Sequence, residues 1–208
     1  MTVCLVTDRG RRSPIEQAAE AADAGVDIIQ VRERGLETAQ LASLVIQIVH
    51  VTRGSPTRVV VNDRLDVAIA CEADGVHLRG DSVPTARARS IAPRPFLIGR
   101  SVHGRDEAIA VASDVDYVIA GTVFHTTSKP GHTDLLGLSG LTSIARAVTV
   151  PVLAIGGITV ERAGEVAAAG AAGIAAVSLF TDIDRPIKEV IRALRARFNI
   201  SGDNSTSA

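Results

Sequence analysis

Eight short β-branched runs recur along this 208-residue chain, each followed by an Ala-rich amphipathic stretch. They are VCLVTD at 3–8, DIIQVRE at 27–33, RVVVND at 58–63, GVHLRG at 75–80, FLIGRSVH at 96–103, YVIAGTVF at 117–124, PVLAIGGI at 151–158 and GIAAVSLF at 173–180. A helix between two strands carries the chain back to its starting end, so successive strands run parallel. Eight such units can close on themselves and leave no sheet edge exposed. The pattern therefore predicts an α/β fold, a single (β/α)8 TIM barrel over residues 1–198. The polar end of the chain, 199–208, is expected to be a flexible tail.

A weak internal repeat supports closure. AADAGVDIIQV, CEADGVHL, ASDVDYVIAG and AAAGAAGIAAVS each end an Ala-rich helix in a small or acidic turn and then enter a strand. Gly or Asp at the turn is expected to take the left-handed geometry that ends a helix. An open doubly wound sheet is the alternative, but no Gly-rich dinucleotide fingerprint follows the first strand.

Composition narrows the chemistry. Aromatic residues make up 2% of the chain, so the core must be built from Ala, Val, Ile and Leu, as in a parallel sheet buried on both faces. The formal net charge is −1, with both signs spread along the chain, which leaves no electrostatic footprint for a nucleic-acid backbone. Few aromatics also argue against stacking on bases. Cys4 and Cys71 lie inside apolar runs and read as small buried hydrophobes in a reducing compartment. No segment has the apolar length of a membrane span, and the N-terminus lacks a signal-peptide pattern. A cytoplasmic protein acting on small molecules is expected, with no nucleic-acid or membrane partner.

In such barrels the active site lies where the strands end and their following loops begin. Strand two contributes Gln30, Arg32 and Arg34, which alternate with Val31 and Glu33; period two would put the three on one face. If that face is the barrel mouth, the donors converge where an anion binds; otherwise they are a solvated strand end. Strand three ends in Asn62 and Asp63. Such a pair makes turns, but at the mouth of a barrel it can also hold a hydrated Mg²⁺ whose shell substrate phosphates complete. Gly157, Val177 and Ser178 follow strands seven and eight, where these barrels commonly bind phosphate. Strand six runs into GTVFHTTSKPGH, with Thr122, His125, Thr126, Thr127, Ser128 and Lys129.

The segments QVRER, VNDR, ADGVHL, DYVIAGTVF…TTSKPG, VPVLAIGGI and GIAAVS occur in series over roughly residues 3–180. Together they resemble the thiamine phosphate synthase / TenI family, whose members are single (β/α)8 barrels. The resemblance implies coupling of hydroxymethylpyrimidine diphosphate with thiazole phosphate to give thiamine phosphate and pyrophosphate, assisted by Mg²⁺. It also implies a possible homodimer. Gln30, Arg32 and Arg34 match the family's Gln-x-Arg-x-Lys, Asn62 and Asp63 its Asn-Asp, Ser101 its loop after strand five and Lys129 its Thr-x-Thr-Lys-Pro loop. By the same resemblance Thr126 and Thr127 meet the thiazole phosphate, and Lys129 neutralises the diphosphate.

Departures keep other reactions open. Arg34 stands where the synthases usually have Lys, and Ser82 where they carry a second metal-binding Asp; Asp81, one residue earlier, could replace it. The TenI branch, which resembles this chain in RER and IGRSVH, performs a cofactor-independent thiazole phosphate tautomerisation with a strand-six His. Thr122 occupies that position here, and an unactivated hydroxyl is no base near neutral pH. His125 is a substitute shuttle or an exposed loop residue, and His103 is placed near the site by the resemblance. A barrel that binds thiazole or thiamine phosphate without turnover is the third reading.

Overall fold

The computed structural model describes residues 1–10, 12–126 and 134–202. Its eight strands are β1 (Thr2–Val6), β2 (Ile28–Val31), β3 (Arg58–Asn62), β4 (Gly75–Leu78), β5 (Leu97–Val102), β6 (Tyr117–Ala120), β7 (Val152–Ile155) and β8 (Gly173–Ala176). Every neighbouring pair is parallel, and β8 pairs with β1, so the sheet closes in sequence order. The intervening helices are α1 (Pro14–Asp23), α2 (Thr38–Thr52), α3 (Leu65–Ala70), α4 (Thr85–Ile91), α5 (Arg105–Val111), α6 (Gly137–Ala147), α7 (Ala163–Ala168) and α8 (Ile187–Gly202). The (β/α)8 barrel is as expected. The helix α8 continues to Gly202, past the expected start of the tail at 199.

Most strands end earlier than their apolar runs do. In β2, β4 and β6 the ladder stops at Val31, Leu78 and Ala120, and the residues beyond belong to the rim loops. A residue at the mouth has no neighbouring strand left to pair with, so its backbone is free to turn. Arg32 and Thr122 are among those overrun residues.

Side chains alternate across the sheet. The outward set includes Val3, Leu5, Ile29, Val61, Val76, Ile98, Val118 and Ile174, all buried under the helices. The inward set includes Cys4, Val6, Ile28, Val60, Tyr117, Ile119, Leu153 and Ala175, a second buried cluster inside the barrel. Cys4 and Cys71 are both buried and free, as the sequence implies. Burial pushes the Cys4 thiol up to about 12, so it remains protonated and inert.

The internal repeat has a structural meaning that differs in part from the expected one. Gly25 and Gly170 do take the left-handed conformation, with φ of 75° and 90°. After α3, however, Glu72 does so, at φ 54°, and the neighbouring Asp residues act otherwise. Asp27 Oδ2 accepts from the Val3 N–H at 2.8 Å, Asp74 Oδ2 from Val59 N–H at 2.8 Å and Asp116 Oδ2 from Ile98 N–H at 2.7 Å. The acid preceding each even strand thus ties down the start of the odd strand before it. Ala172 stands at the fourth such position.

Arg58 and Arg89 pair with Asp74 and Asp116 at 2.9 and 2.7 Å, forming part of the wall of a cleft of about 770 Å³ at this N-terminal end of the barrel. These pairs serve the staples. Removing the carboxylate in Asp116→Ala leaves the Ile98 N–H and the Arg89 guanidinium without this partner. A loss of about 1–3 kcal/mol of stability is expected. Urea unfolding checks it: a change below about 0.5 kcal/mol would show that the staple is replaceable by water.

Candidate active site

Inside the C-terminal half of the barrel one side is polar. Gln30 is buried, and its Nε2 donates to Asn62 Oδ1 at 2.9 Å across β2 and β3. The register then sets Asn62 beside His77, and His77 beside Gly99. His77 Nε2 lies 2.9 Å from Ser101 Oγ, and its Nδ1 lies 3.3 Å from the Tyr117 hydroxyl. A polar belt therefore runs over the inner face from β2 to β6. The inner face of β7, β8 and β1 is apolar, with Leu153, Ala175, Cys4 and Val6. Gln30 Oε1 is buried and without a partner among the described residues, which leaves an acceptor for a ligand N–H.

Gly99 makes this belt possible. A Cβ there would lie 2.2 Å from the Tyr117 ring and 2.6 Å from His77 Nδ1. The stacked pair fills the space that a larger residue would need. Burial, reinforced by the charges of Arg100 and Arg32, lowers the His77 pKa to about 3, so the ring is neutral. Burial likewise keeps the Tyr117 phenol protonated. If the Tyr117 O–H donates to Nδ1, His77 Nε2–H donates to Ser101 Oγ, and the serine proton is left to point elsewhere.

A pH effect follows. Because the folded pKa lies below the usual 6.5 for His, unfolded chains bind a proton that the folded protein refuses between about pH 6.5 and 3. Stability is lost as pH falls through that window. One group contributes at most about 1.4 kcal/mol per pH unit. His77→Gln should flatten the acid side of the urea-midpoint curve relative to wild type. Parallel curves between pH 6 and 4 would refute a buried neutral His77.

Above the belt stands a cationic rim. Arg32 is half-buried, and its pKa is lowered by that burial and by the nearby charge of Arg34, with a smaller contribution from Arg79. The expectation that Arg34 shares the inward face with Gln30 is not met. The strand ends at Val31, and Arg34 is exposed in the turn that follows. Period two applies only while the ladder lasts. The charges of the two arginines nevertheless reach one another.

Two residues that the motif reading passed over fix this loop. Thr7 Oγ1 donates to the buried Glu33 Oε1 at 2.5 Å and accepts from the Arg32 N–H at 3.0 Å. Glu33 Oε2 accepts from the Arg9 N–H at 3.2 Å. The signal was Glu33 itself, an acid set between two arginines directly after a buried strand.

Asp63 caps β3 in the left-handed region, at φ 65°, with its N–H donating to the His77 carbonyl at 2.8 Å. Ser82 Oγ donates to Asp63 Oδ1 and accepts from the Arg79 N–H. The Arg79 Nε lies 3.7 Å from Asp63 Oδ2 and donates to Asp81 Oδ1 at 2.9 Å. Asp81 thus faces solvent and Arg79, and Ser82, which replaces the expected second acid, is the residue that touches Asp63. No group of three or more His, Cys, Asp or Glu among the described residues could hold a metal by itself. The donors are nonetheless hard oxygens, and Mg²⁺ characteristically takes one or two carboxylates and completes its shell with water and phosphate. The arrangement fits an ion that arrives with a phosphorylated substrate.

Other expected positions fall differently. Ser101 lies within β5 rather than in the loop after it. His103 is exposed, its N–H and Nδ1 both facing Glu107 Oε2 at 2.8 and 3.4 Å, so it braces the start of α5 rather than the belt. Thr122 is buried and packs where a Cβ on Gly156 would lie 2.5 Å from its methyl group. His125 is exposed and Thr126 half-buried. Thr127, Ser128, Lys129 and His132 lie outside the described residues.

Gly157 has φ of 63°, and a Cβ there would lie 2.2 Å from the His125 carbonyl oxygen. The glycine pair therefore lets the loop after β6 pack close against it. The Gly157 carbonyl accepts from Arg162 Nη1 at 3.0 Å, and Arg162 also lies 4.5 Å from the Phe124 ring centre. Val177 precedes a single 3₁₀ turn, Ser178–Phe180, whose Ser178 carbonyl accepts from Thr181 Oγ1 at 3.2 Å.

Fold and site together define a (β/α)8 barrel whose mouth combines a half-polar interior with a crowded cationic rim and an acid beside it. Such a mouth suits a phosphorylated, amide-recognising ligand. The sequence profile described as thiamine monophosphate synthase matches residues 3–180, and the chain belongs to that family. A thiamine-phosphate synthase of Methanoregula boonei is 47% identical over 170 residues, 81% of this chain and 79% of the other. One from Methanoculleus marisnigri is 41% identical over 93% of each. The structure of thiamine phosphate pyrophosphorylase from Pyrococcus furiosus superposes with a TM-score of 0.86 at 33% identity, covering 96% of both chains.

Proposed function

We propose that this protein is a thiamine-phosphate synthase that transfers the pyrimidinylmethyl group of hydroxymethylpyrimidine diphosphate to the ring nitrogen of thiazole phosphate. The observation that carries this reading is the rim: Arg32 is half-buried beside Arg34 and Arg79, whose repulsion Asp8 and Glu33 offset only in part, so an entering anion relieves it. In the reaction the methylene C–O bond to the diphosphate breaks, a C–N bond forms, and pyrophosphate leaves. The protein's task is to stabilise charge on the leaving group.

Arg32 and Arg34 meet the diphosphate, joined by Lys129, and Ser101 offers its hydroxyl to the same group. Gln30 and Asn62 hold the pyrimidine edge, with Gln30 Oε1 supplying the acceptor. Thr126, Thr127, Gly157, Val177 and Ser178 receive the thiazole phosphate. Asp63 would hold Mg²⁺, with Asp81 near by; when bound, the ion adds positive charge at the diphosphate oxygens. The partners are then small phosphorylated substrates of the cytoplasm, and the protein acts as a homodimer without nucleic acid or membrane. No helix among the described residues is long and apolar enough to cross a membrane.

The tautomerase reading needs a base on strand six. Thr122 is buried against Gly156, and His103 is engaged by Glu107. Incubating the protein with both substrates, with and without Mg²⁺, tests the proposal. Thiamine phosphate and pyrophosphate in equal amounts, formed only with Mg²⁺, are expected. Thiazole phosphate binding without product would overturn it.

A further inference from the structure

Resting on the proposed synthase reading, we infer that Arg79 is a resident counter-ion of Asp63 and makes metal binding conditional on the diphosphate. Asp63 follows directly on the end of β3, and neither of its carboxylate oxygens is idle. Oδ1 accepts from Ser82 Oγ, and Oδ2 has the Arg79 guanidinium 3.7 Å away. The same guanidinium holds Asp81 through two bonds, so one cation is shared by both carboxylates that could serve a metal. Ser82 completes the arrangement by accepting from the Arg79 N–H at 2.7 Å.

A divalent ion approaching Asp63 must displace or face this charge. Two like charges near 4 Å repel even in water, and a dication feels the effect twofold. The free enzyme is therefore a poor metal binder. Arg79 is also 44% exposed on a two-residue tether to Asp81, so its guanidinium is at the surface and able to change partners. Its charge already reaches Arg32, which places it on the same rim. A diphosphate arriving there is a stronger acceptor than either carboxylate. Once Arg79 turns to it, Asp63 Oδ2 is released for the ion. Metal and diphosphate thus bind together, and the acid site is not filled prematurely.

The test measures Mn²⁺ bound to the protein, by electron paramagnetic resonance of free Mn²⁺ and by water proton relaxation, with inorganic pyrophosphate as the probe anion. Wild type is expected to bind Mn²⁺ weakly alone and at least about tenfold more tightly with pyrophosphate. Arg79→Ala and Arg79→Gln should bind Mn²⁺ alone at least about tenfold more tightly than wild type, and a second change, Asp63→Asn, should abolish that gain. Equal Mn²⁺ affinity of wild type and both Arg79 variants without pyrophosphate would overturn the inference, while Mg²⁺-dependent coupling by wild type would still support the synthase. If wild type makes no thiamine phosphate and binds no Mn²⁺ even with pyrophosphate, the synthase reading fails and the inference with it.

Discussion

Arg32→Ala is expected to lower kcat/KM for the coupling reaction by about 10²–10³-fold, the cost of losing one preorganised charge partner of the leaving group. Its position explains why it, rather than Arg34, carries the larger effect. Arg32 is half-buried, and its N–H is fixed by Thr7 Oγ1 at 3.0 Å, whereas Arg34 is exposed in the turn. A guanidinium that is partly desolvated among like charges gains more from an anion than one in water. Arg32→Lys should restore only part of the rate, because an ammonium replaces a two-pronged donor with a point charge. Arg32→Ala should also remove most of the thermal stabilisation that pyrophosphate gives the wild type. Full activity in Arg32→Ala would move the diphosphate away from β2.

Asp63→Asn is expected to cost at least about 10²-fold in rate and to leave the residual activity indifferent to Mg²⁺. Asn is the informative replacement because residue 63 has φ of 65°, a conformation that Asn tolerates and Ala does not. Its side-chain oxygen can still accept from Ser82 Oγ, so the rim keeps its shape while losing the charge. Thiazole phosphate affinity should change little, since that phosphate is assigned to the loops after β6, β7 and β8. Mg²⁺-dependent turnover at the wild-type rate would remove Asp63 from the metal role.

The polar belt and the cationic rim divide the work by dielectric environment. His77 and Tyr117 sit where water is excluded, with the half-buried Ser101 bonded to His77, and all three are uncharged at neutral pH. The charges lie one layer higher, where solvent and substrate can satisfy them. A protonated His77 would set a third cation near Arg32 and Arg100, which adds to burial in keeping its ring neutral.

The sequence determined the alternation of eight strands and eight helices, because a run of β-branched residues and an Ala-rich amphipathic stretch each have one way to bury their apolar surface. It also determined the acid and amide at the β3 end and the inward placement of Gln30, since parity along a strand settles which face a residue takes. Where the ladder stops, parity stops with it. Arg34, His103 and Asp81 were therefore beyond the reach of pattern alone, and their actual neighbours are the turn solvent, Glu107 and Arg79. No motif singled out Tyr117; only the register, which brings Tyr117 beside Gly99 and Gly99 beside His77, joined three strands into one hydrogen-bonded belt. Tertiary structure decided the pairing of Ser82 and Arg79 with Asp63, because that pairing depends on the conformation of a loop nineteen residues further along the chain.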